Sequence, residues 1–520
     1  MKESIFDSKE GVYMSKPKAG TAGTKKLGYS SQLAFVISLI AGSVGTGNIW
    51  RFPRVAAKNG GAFMLCYILI VFAVIIPIMF AEHVMGRATR HGAPGAYRDF
   101  IGRKYTWMGT VVSMIMVMCT AYYSVVLAWV VHYIGLAATK GYYNTDKEAL
   151  FTSVSNGNGI TMLLFVGIVL ISAYVAYKGV SGIEKANKIF IPTLFICLVI
   201  TAIRSLTLPG AAVGLNYLFS FKATDLLNGK IWLEALTQAI WSAGPGWGLV
   251  ITLAVFSNPR SDVALTSTVN AMGDTFAAVL AGLAVIPALF ALSPSPQAAL
   301  DICSQGNNGL TFLSMTSLFE NMPGGYLIGI LFFVSLLMAG LSSNIAQFVI
   351  FCLPFGDAGK NKKKVIICMT LLMLVWGAPS AWSATFLSNQ DWVVGQMMVI
   401  GSMFSCFAAI KFGTKKIREV YLNNKYTCMK VGKWWEICIK FIAPAITTIM
   451  LVWWCVQSLG WDSNWWNPLG ISNLGTFIFQ GGLMALICFL FNNKVADSVK
   501  DKYFKDDGEF PEIPNNGYSA

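Results

Sequence analysis

From residue 30 onward the chain is a succession of long apolar runs separated by short polar stretches. Runs of about 18 or more apolar residues fall at approximately 30 to 57, 62 to 84, 106 to 136, 160 to 177, 187 to 206, 231 to 256, 264 to 292, 325 to 355, 364 to 382, 392 to 411, 437 to 459 and 472 to 492. A helix of about 20 residues crosses the hydrocarbon core of a bilayer, so the pattern predicts an all-α integral membrane protein of about 12 transmembrane helices. Two runs are interrupted near mid-span, the first by Ala41-Gly-Ser-Val-Gly-Thr-Gly-Asn48 and the sixth by Ser242-Ala-Gly-Pro-Gly-Trp-Gly248. Backbone unwound toward lipid costs several kcal/mol per unsatisfied group. Both interruptions are therefore expected to be broken helices whose freed amides and carbonyls bind something inside the protein.

Composition supports the membrane class: 55% of the 520 residues are hydrophobic, 12% are charged, and the mean hydropathy is +0.58. The net charge is +14, and its distribution carries more information than its size. About thirty Lys and Arg residues lie in the two tails and alternate loops, against about five in the opposite loops, so both termini are expected in the cytoplasm. This accounts for the basic chain with no nucleic-acid partner. The first 29 residues lack an apolar segment of signal-peptide type, which leaves the first run to act as the signal. Eleven cysteines lie mostly within apolar runs, with only Cys303 in a loop assigned to the outside. No external disulfide framework is expected, and a bacterial or archaeal inner membrane fits. The three histidines, His83, His91 and His132, show no metalloenzyme spacing, which argues against an integral membrane enzyme.

Spacing within the runs picks out candidate chemistry. Ala339, Ser342, Ser343 and Gln347 share one helix face, giving either an oxygen cage for a hard cation or a stripe for close helix packing. Asp274 follows Asn270 by one turn, and a carboxylate well inside a span needs a reason. Cys119 shares a face with Tyr123. Glu82 to Arg87 read as a charged exit at the end of span 2. Residues 178 to 185 read as a loop, with Gly182 and Pro192 as helix weakeners that kink span 5 or let it unwind. Trp461, Trp465 and Trp466 read as an interfacial belt. Spans 1 and 6 occupy matching places in two groups of five, the pattern of inverted repeats with a binding site at mid-membrane.

Several ordered motifs make a resemblance specific. Ala41 to Pro53, Asn59-Gly-Gly-Ala-Phe-Met64, Pro77 to Glu82 with Met85-Gly-Arg87, Tyr122-Tyr123, Gly182-Ile-Glu-Lys185 with Pro192-Thr-Leu-Phe195, Ser242 to Gly248 and Ala339-Gly-Leu-Ser-Ser343 together resemble the neurotransmitter:sodium symporter family, particularly its prokaryotic amino-acid transporters. The resemblance implies a 5+5 inverted-repeat fold with broken helices 1 and 6 plus two further helices. Its segments would be an N-terminal tail to residue 29, repeats at 30 to 206 and 231 to 411, helices 11 and 12 within 437 to 492, and a C-terminal tail from 493.

The resemblance also implies sodium-coupled, chloride-independent symport of an amino acid, with two sodium ions. Site 1 would use Ser43, Asn48, Ser242 and Asn270, and site 2 Ala41, Val44, Ala339, Ser342 and Ser343. Asp274, near Tyr67, Gln238 and Ser242, would stand in for chloride. Substrate would meet Gly42, Ser43, Gly47, Cys119, Tyr123, Trp241, Ser242, Gly244, Trp247, Ser343 and Gln347. Gly42, Trp247 and Gln347 depart from the residues usual in relatives, which leaves the amino acid open. Arg51 with Asp391, at the start of span 10, would form an outer gate, and Lys26 with Asp357 an inner one. A proton-coupled carrier on the same fold and a non-transporting sensor are the alternatives. The lipid bilayer is an expected partner, and the sequence says nothing of oligomeric state.

Overall fold

The computed structural model describes residues 27–304, 309–461, 463–515 and 518, and among them only helices, turns and irregular segments occur. Among the described residues nine helices are long and apolar enough to cross a membrane, or ten with the bent pair Leu474–Leu490 and Asn492–Ser498. One of them, Thr46–Thr89, has 44 residues, about 66 Å at 1.5 Å per residue, twice the thickness of a bilayer core. It is two spans joined at Gly60, where the backbone leaves the helical region (φ 61°, ψ −156°). Span 1 is thus Gln32–Ser43 followed by 46–59, and span 2 is 61–89. Span 6 comprises Gly229–Ala243 and Leu249–Ala254, each half too short to cross alone. The remaining spans are 3 (Thr106–Thr139), 4 (Gly159–Tyr177), 5 (Gly179–Leu206), 7 (Val263–Leu292), 8 (Gly325–Asp357), 9 (Lys362–Trp382), 10 (Ala384–Phe412), 11 (Trp434–Ser458) and 12 (Leu474–Leu490). Twelve spans result among the described residues, with spans 1 and 6 broken.

Side-chain caps fix many starts, because the first amides of a helix have no partner within it. Ser31 caps span 1, Asn158 span 4, Asn228 span 6, Asp262 span 7 and Asn361 span 9. Two expectations change. Span 10 begins at Ala384, where the Ser383 hydroxyl accepts from the Phe386 amide at 3.3 Å. Asp391 therefore lies about two turns inside that helix and not at its start. Residues 178 to 185 are not a loop, since span 5 starts at Gly179 and runs through Gly182 and Pro192 without interruption. Packing along spans 7 and 8 holds the helix despite the amide that Pro192 lacks.

Burial separates centre from periphery. In the most apolar stretch of span 3, 89% is buried, against 28% in span 11 and 39% in spans 4 and 5. The exposed side chains of spans 4 and 5 include Leu163, Leu170, Ile196 and Ile203, an apolar surface suited to lipid.

Beyond Ser498 the described residues lie as an irregular strap across one end of the bundle. The Arg98 guanidinium donates to the carbonyls of Val499 (2.6 Å) and Asp501 (2.8 Å), and the Lys500 amide donates to the Asp357 carbonyl at 3.1 Å. Lys416 pairs with Asp506 at 2.6 Å, and Ile513 packs beside Gly28. This end, where the described N-terminal residues meet the strap, is the tail side. The opposite end is the cavity side.

Candidate functional site

Span 1 breaks because Val44 (φ −68°, ψ 103°) and Gly45 (φ −121°, ψ −167°) are extended. Three backbone groups that this frees find side chains. The Val44 carbonyl accepts from the Ser343 hydroxyl of span 8 at 3.0 Å, the Gly45 amide donates to Asn48 Oδ1 at 3.0 Å, and the Thr46 amide donates to the Tyr123 hydroxyl of span 3 at 2.9 Å. Span 6 breaks over Gly244, Gly246 and Gly248, all at positive φ (75°, 80° and 74°). At Gly246 a side chain would also strike the Ser402 backbone, so both conformation and space require glycine. The Gly246 amide donates to Glu82 Oε1 at 2.7 Å, and the Pro245 carbonyl accepts from the Ser402 hydroxyl at 2.9 Å.

Glu82 corrects the reading of span 2. It is fully buried, and its Oε1 also accepts from the Ser405 hydroxyl at 2.7 Å. The whole Glu82 to Arg87 segment is interior. Arg87 donates to the Ser257 hydroxyl (2.9 Å), the Ser261 carbonyl (2.6 Å), the Ser261 hydroxyl (2.7 Å) and His83 Nε2 (2.7 Å). A guanidinium can only donate, so His83 carries its hydrogen on Nδ1 and donates to the Ser267 hydroxyl at 2.9 Å. The signal available in the sequence was the charge itself, since ionisable groups inside a span are costly and face the interior.

Two oxygen-rich clusters flank the span 1 break. In the first, the Ser43 hydroxyl lies 3.3 Å from Asn270 Oδ1 and 3.4 Å from the Ala243 carbonyl. Asn48 Nδ2 donates to Asp274 Oδ1 at 2.8 Å, and the Ser242 hydroxyl donates to Asp274 Oδ2 at 2.8 Å. Ser43, Asn48, Ser242, Asn270 and Asp274 are thus brought together. Tyr67 is buried beside Asp274. Gln238 turns elsewhere: its Nε2 donates to the Gly47 carbonyl at 3.2 Å, and its Oε1 has no partner. In the second cluster the Ala339 carbonyl accepts from the hydroxyls of Ser342 (2.8 Å) and Ser343 (3.1 Å), and Ser343 reaches Val44. Ala41 is fully buried in the last turn before the break.

Both clusters fit a sodium ion by donor type. They offer hydroxyl, amide and carbonyl oxygens, which suit a hard cation, and the first adds a buried carboxylate. The buried Asn270 Nδ2 has no partner, so that side chain is not fully committed to the protein. Among the described residues no group of three His, Cys, Asp or Glu assembles as a softer metal site would require.

A cavity of about 530 Å³ opens from the break toward the cavity side. Ser43, Gly47, Cys119, Tyr123, Trp241, Trp247, Ser343 and Gln347 line it. Gly42, Ser242 and Gly244 do not: Gly42 faces Leu249 and Ala346, Ser242 turns to Asp274, and Gly244 lies against Trp247. Gln347 Oε1 is held by the Thr120 hydroxyl at 3.0 Å. The mouth is formed by residues the sequence did not single out, above all Trp392 and Trp454, which pack edge-on at 6.0 Å. Trp461 joins them, 5.1 Å from Trp392, and lines the cavity while remaining exposed, as Trp465 and Trp466 are.

Arg51 and Asp391 both line this cavity, but no ion pair within 4.0 Å joins them. The Arg51 guanidinium instead lies 6.0 Å over the Trp241 ring. At the tail side, Lys26 lies outside the described residues. Asp357 accepts from the Gly92 amide at 2.7 Å, tying the end of span 8 to the start of the helix Ala93–Ile101.

Comparison with known proteins decides the family. The model of the sodium:neurotransmitter symporter family matches residues 26–141 and 135–497. The chain belongs to this family. An uncharacterized sodium-dependent transporter of Methanocaldococcus jannaschii is 29% identical over 445 residues, covering 81% of this chain and 89% of that protein. The sodium-dependent neutral amino acid transporter B(0)AT2 of Mus musculus is 27% identical over 324 residues, which cover 55% of this chain and 44% of that protein. Among solved structures, MhsT in complex with L-phenylalanine superposes with a TM-score of 0.72 at 26% identity, covering 82% of this chain and 99% of that one. This symporter-family chain is therefore a multi-pass, sodium-dependent membrane transporter with the fold of MhsT, and not an enzyme.

Proposed function

We propose that the protein carries an amino acid together with sodium, without chloride, by alternating access. The observation that supports this most is the meeting of both broken spans at one cavity, where the Tyr123 and Ser343 hydroxyls and the Thr46 amide lie beside two oxygen clusters. An α-carboxylate suits the amide end of the second half of span 1. Gly45 places no acid at the break, so a substrate amine needs a carboxylate of its own.

Two sodium ions are assigned, one to Ser43, Asn48, Ser242 and Asn270, and one to Ala41, Val44, Ala339, Ser342 and Ser343. Asp274 supplies the fixed negative charge that makes chloride unnecessary, and Arg51 with Asp391 closes over the bound substrate. The tail side faces the cytoplasm, the membrane is the cell's inner membrane, and residues 30–206 and 231–411 form the two repeats.

Uptake of labelled amino acids into proteoliposomes tests this. Uptake should require an inward sodium gradient and persist with gluconate in place of chloride; equal uptake in potassium would remove the coupling. Asp274→Ser should lose activity and regain part of it in chloride, and indifference to chloride would remove the role given to that carboxylate.

A further inference from the structure

A second cavity, of about 420 Å³, lies on the tail side and shares no lining residue with the first. Lys411, Lys416, Lys502 and Lys505 line it together with Asp99 and Asp506. Both carboxylates are engaged: Asp99 with His91 (2.9 Å) and Arg98 (2.7 Å), and Asp506 with Lys416 (2.6 Å) and the Tyr421 hydroxyl (3.1 Å). Lys411, Lys502 and Lys505 have no carboxylate within 4.0 Å among the described residues, and the Lys411 ammonium rests 5.1 Å over the Tyr105 ring. Four lysines against two carboxylates leave the cavity lining net positive, which favours an anion entering it.

The geometry points to a site for the phosphate headgroup of an anionic membrane lipid, held between the end of span 10 and the C-terminal strap. The lipid assignment rests on what borders the cavity. Phe407, one turn before Lys411, and Ile410, next to it, are exposed on span 10, as lipid-facing residues are. The cavity walls include Phe100 and Phe412, stacked at 4.0 Å, with Phe504 of the strap beside them. A basic pocket next to lipid-facing side chains sits where headgroup phosphates lie. Lys502 and Lys505 come from the strap and Lys411 and Lys416 from the bundle, so one headgroup bridges the two. Bound lipid would then fasten the strap over the tail side. This inference needs only that the chain crosses a membrane and is independent of which substrate it carries.

Hydrogen exchange of the strap (499–511) in the full-length protein tests the site, in nanodiscs of phosphatidylcholine, of phosphatidylcholine with phosphatidylglycerol, and of phosphatidylcholine with added inorganic phosphate. Strap exchange should slow about tenfold with phosphatidylglycerol. K411Q/K502Q/K505Q should abolish this difference, while K363Q/K364Q/K433Q, which removes equal charge from exposed tail-side positions, should keep it. Equal exchange of the unmodified protein in all three preparations would overturn the site. Full protection by inorganic phosphate alone would overturn the lipid assignment. Comparing the unmodified protein between lipids keeps the test decisive even if the triple variant folds poorly.

Discussion

On the cavity side, Arg51 and Asp391 line an open cavity with no ion pair between them. On the tail side, every guanidinium nitrogen of Arg87 and Arg90 is bonded. Arg90 donates to the carbonyls of Ala254 (3.3 Å), Val255 (2.8 Å) and Ser257 (2.9 Å) and twice to that of Pro511, at 2.8 and 2.5 Å. The first three are at the end of the second half of span 6, whose last carbonyls lack partners within the helix. Arg90 thus caps a half-helix of the site with one edge and grips the strap with the other. The difference shows a molecule open at one end and latched at the other. The latch uses neutral acceptors, backbone carbonyls for Arg90 and mostly side chains for Arg87, whereas Arg51 at the opposite end is held by no carboxylate within 4.0 Å.

The largest effect should follow from breaking the latch. Arg87→Met with Arg90→Met leaves buried acceptors unpaired and should lower stability by about 3–5 kcal/mol, read as a lower midpoint of thermal unfolding. It should also expose Cys352, buried near Tyr518 of the strap, to maleimide, identified by peptide mass spectrometry. Unchanged Cys352 labelling would show that the arginines do not hold this end shut.

Next in size is Gly47→Ala, on the open side. A methyl there meets only the Trp241 carbonyl, at 4.0 Å, so the protein should fold normally while substrate affinity falls about tenfold or more. Unaltered binding would place the substrate elsewhere. Arg51→Gln sharpens the contrast with Arg87, because a guanidinium held only over the Trp241 ring contributes about 0.5–1 kcal/mol to stability. Uptake should drop several-fold with little change in unfolding midpoint, and a loss of stability like that of the latch variant would erase the distinction.

The smallest effect concerns pH. Burial pushes the Asp99 carboxyl upward, but the hydrogen bonds and charges of His91 and Arg98 outweigh it and hold the group below its ordinary value of 3.8. A depressed carboxylate contributes stability above its unfolded pKa and loses it as pH falls through the folded one. Amide exchange across 91–101 should therefore quicken between pH 5 and pH 3, by about 1 kcal/mol or less, while the cavity mouth stays unaffected. Equal changes at both ends would mean that this pair does not secure the tail side.

Much of the fold was legible because long apolar runs and mid-span glycines are local signals. Gly-Pro-Gly cannot continue a helix in any context, so the break in span 6 needed no partner to be seen. The interior role of Glu82 and Arg87 was not legible, because charge near the end of a run looks the same whether it meets headgroups or protein. Their partners, Gly246 and Ser257, lie 164 and 170 residues away. Asp391 was misplaced because the Ser383 cap, not hydrophobicity, sets the start of span 10. The grouping of Ser43, Asn48, Ser242, Asn270 and Asp274 came from ordered motifs, since periodicity alone relates only Asn270 to Asp274. The part Trp461 takes in the cavity wall was not legible, because a single aromatic carries no record of which side it faces.

The joint in span 1 is not free to swing. One of its peptides is stitched by a span 3 hydroxyl, Tyr123 to the Thr46 amide, and another by a span 8 hydroxyl, Ser343 to the Val44 carbonyl. Any tilt of the first half relative to the second must either drag two neighbouring rods along or part these stitches in turn.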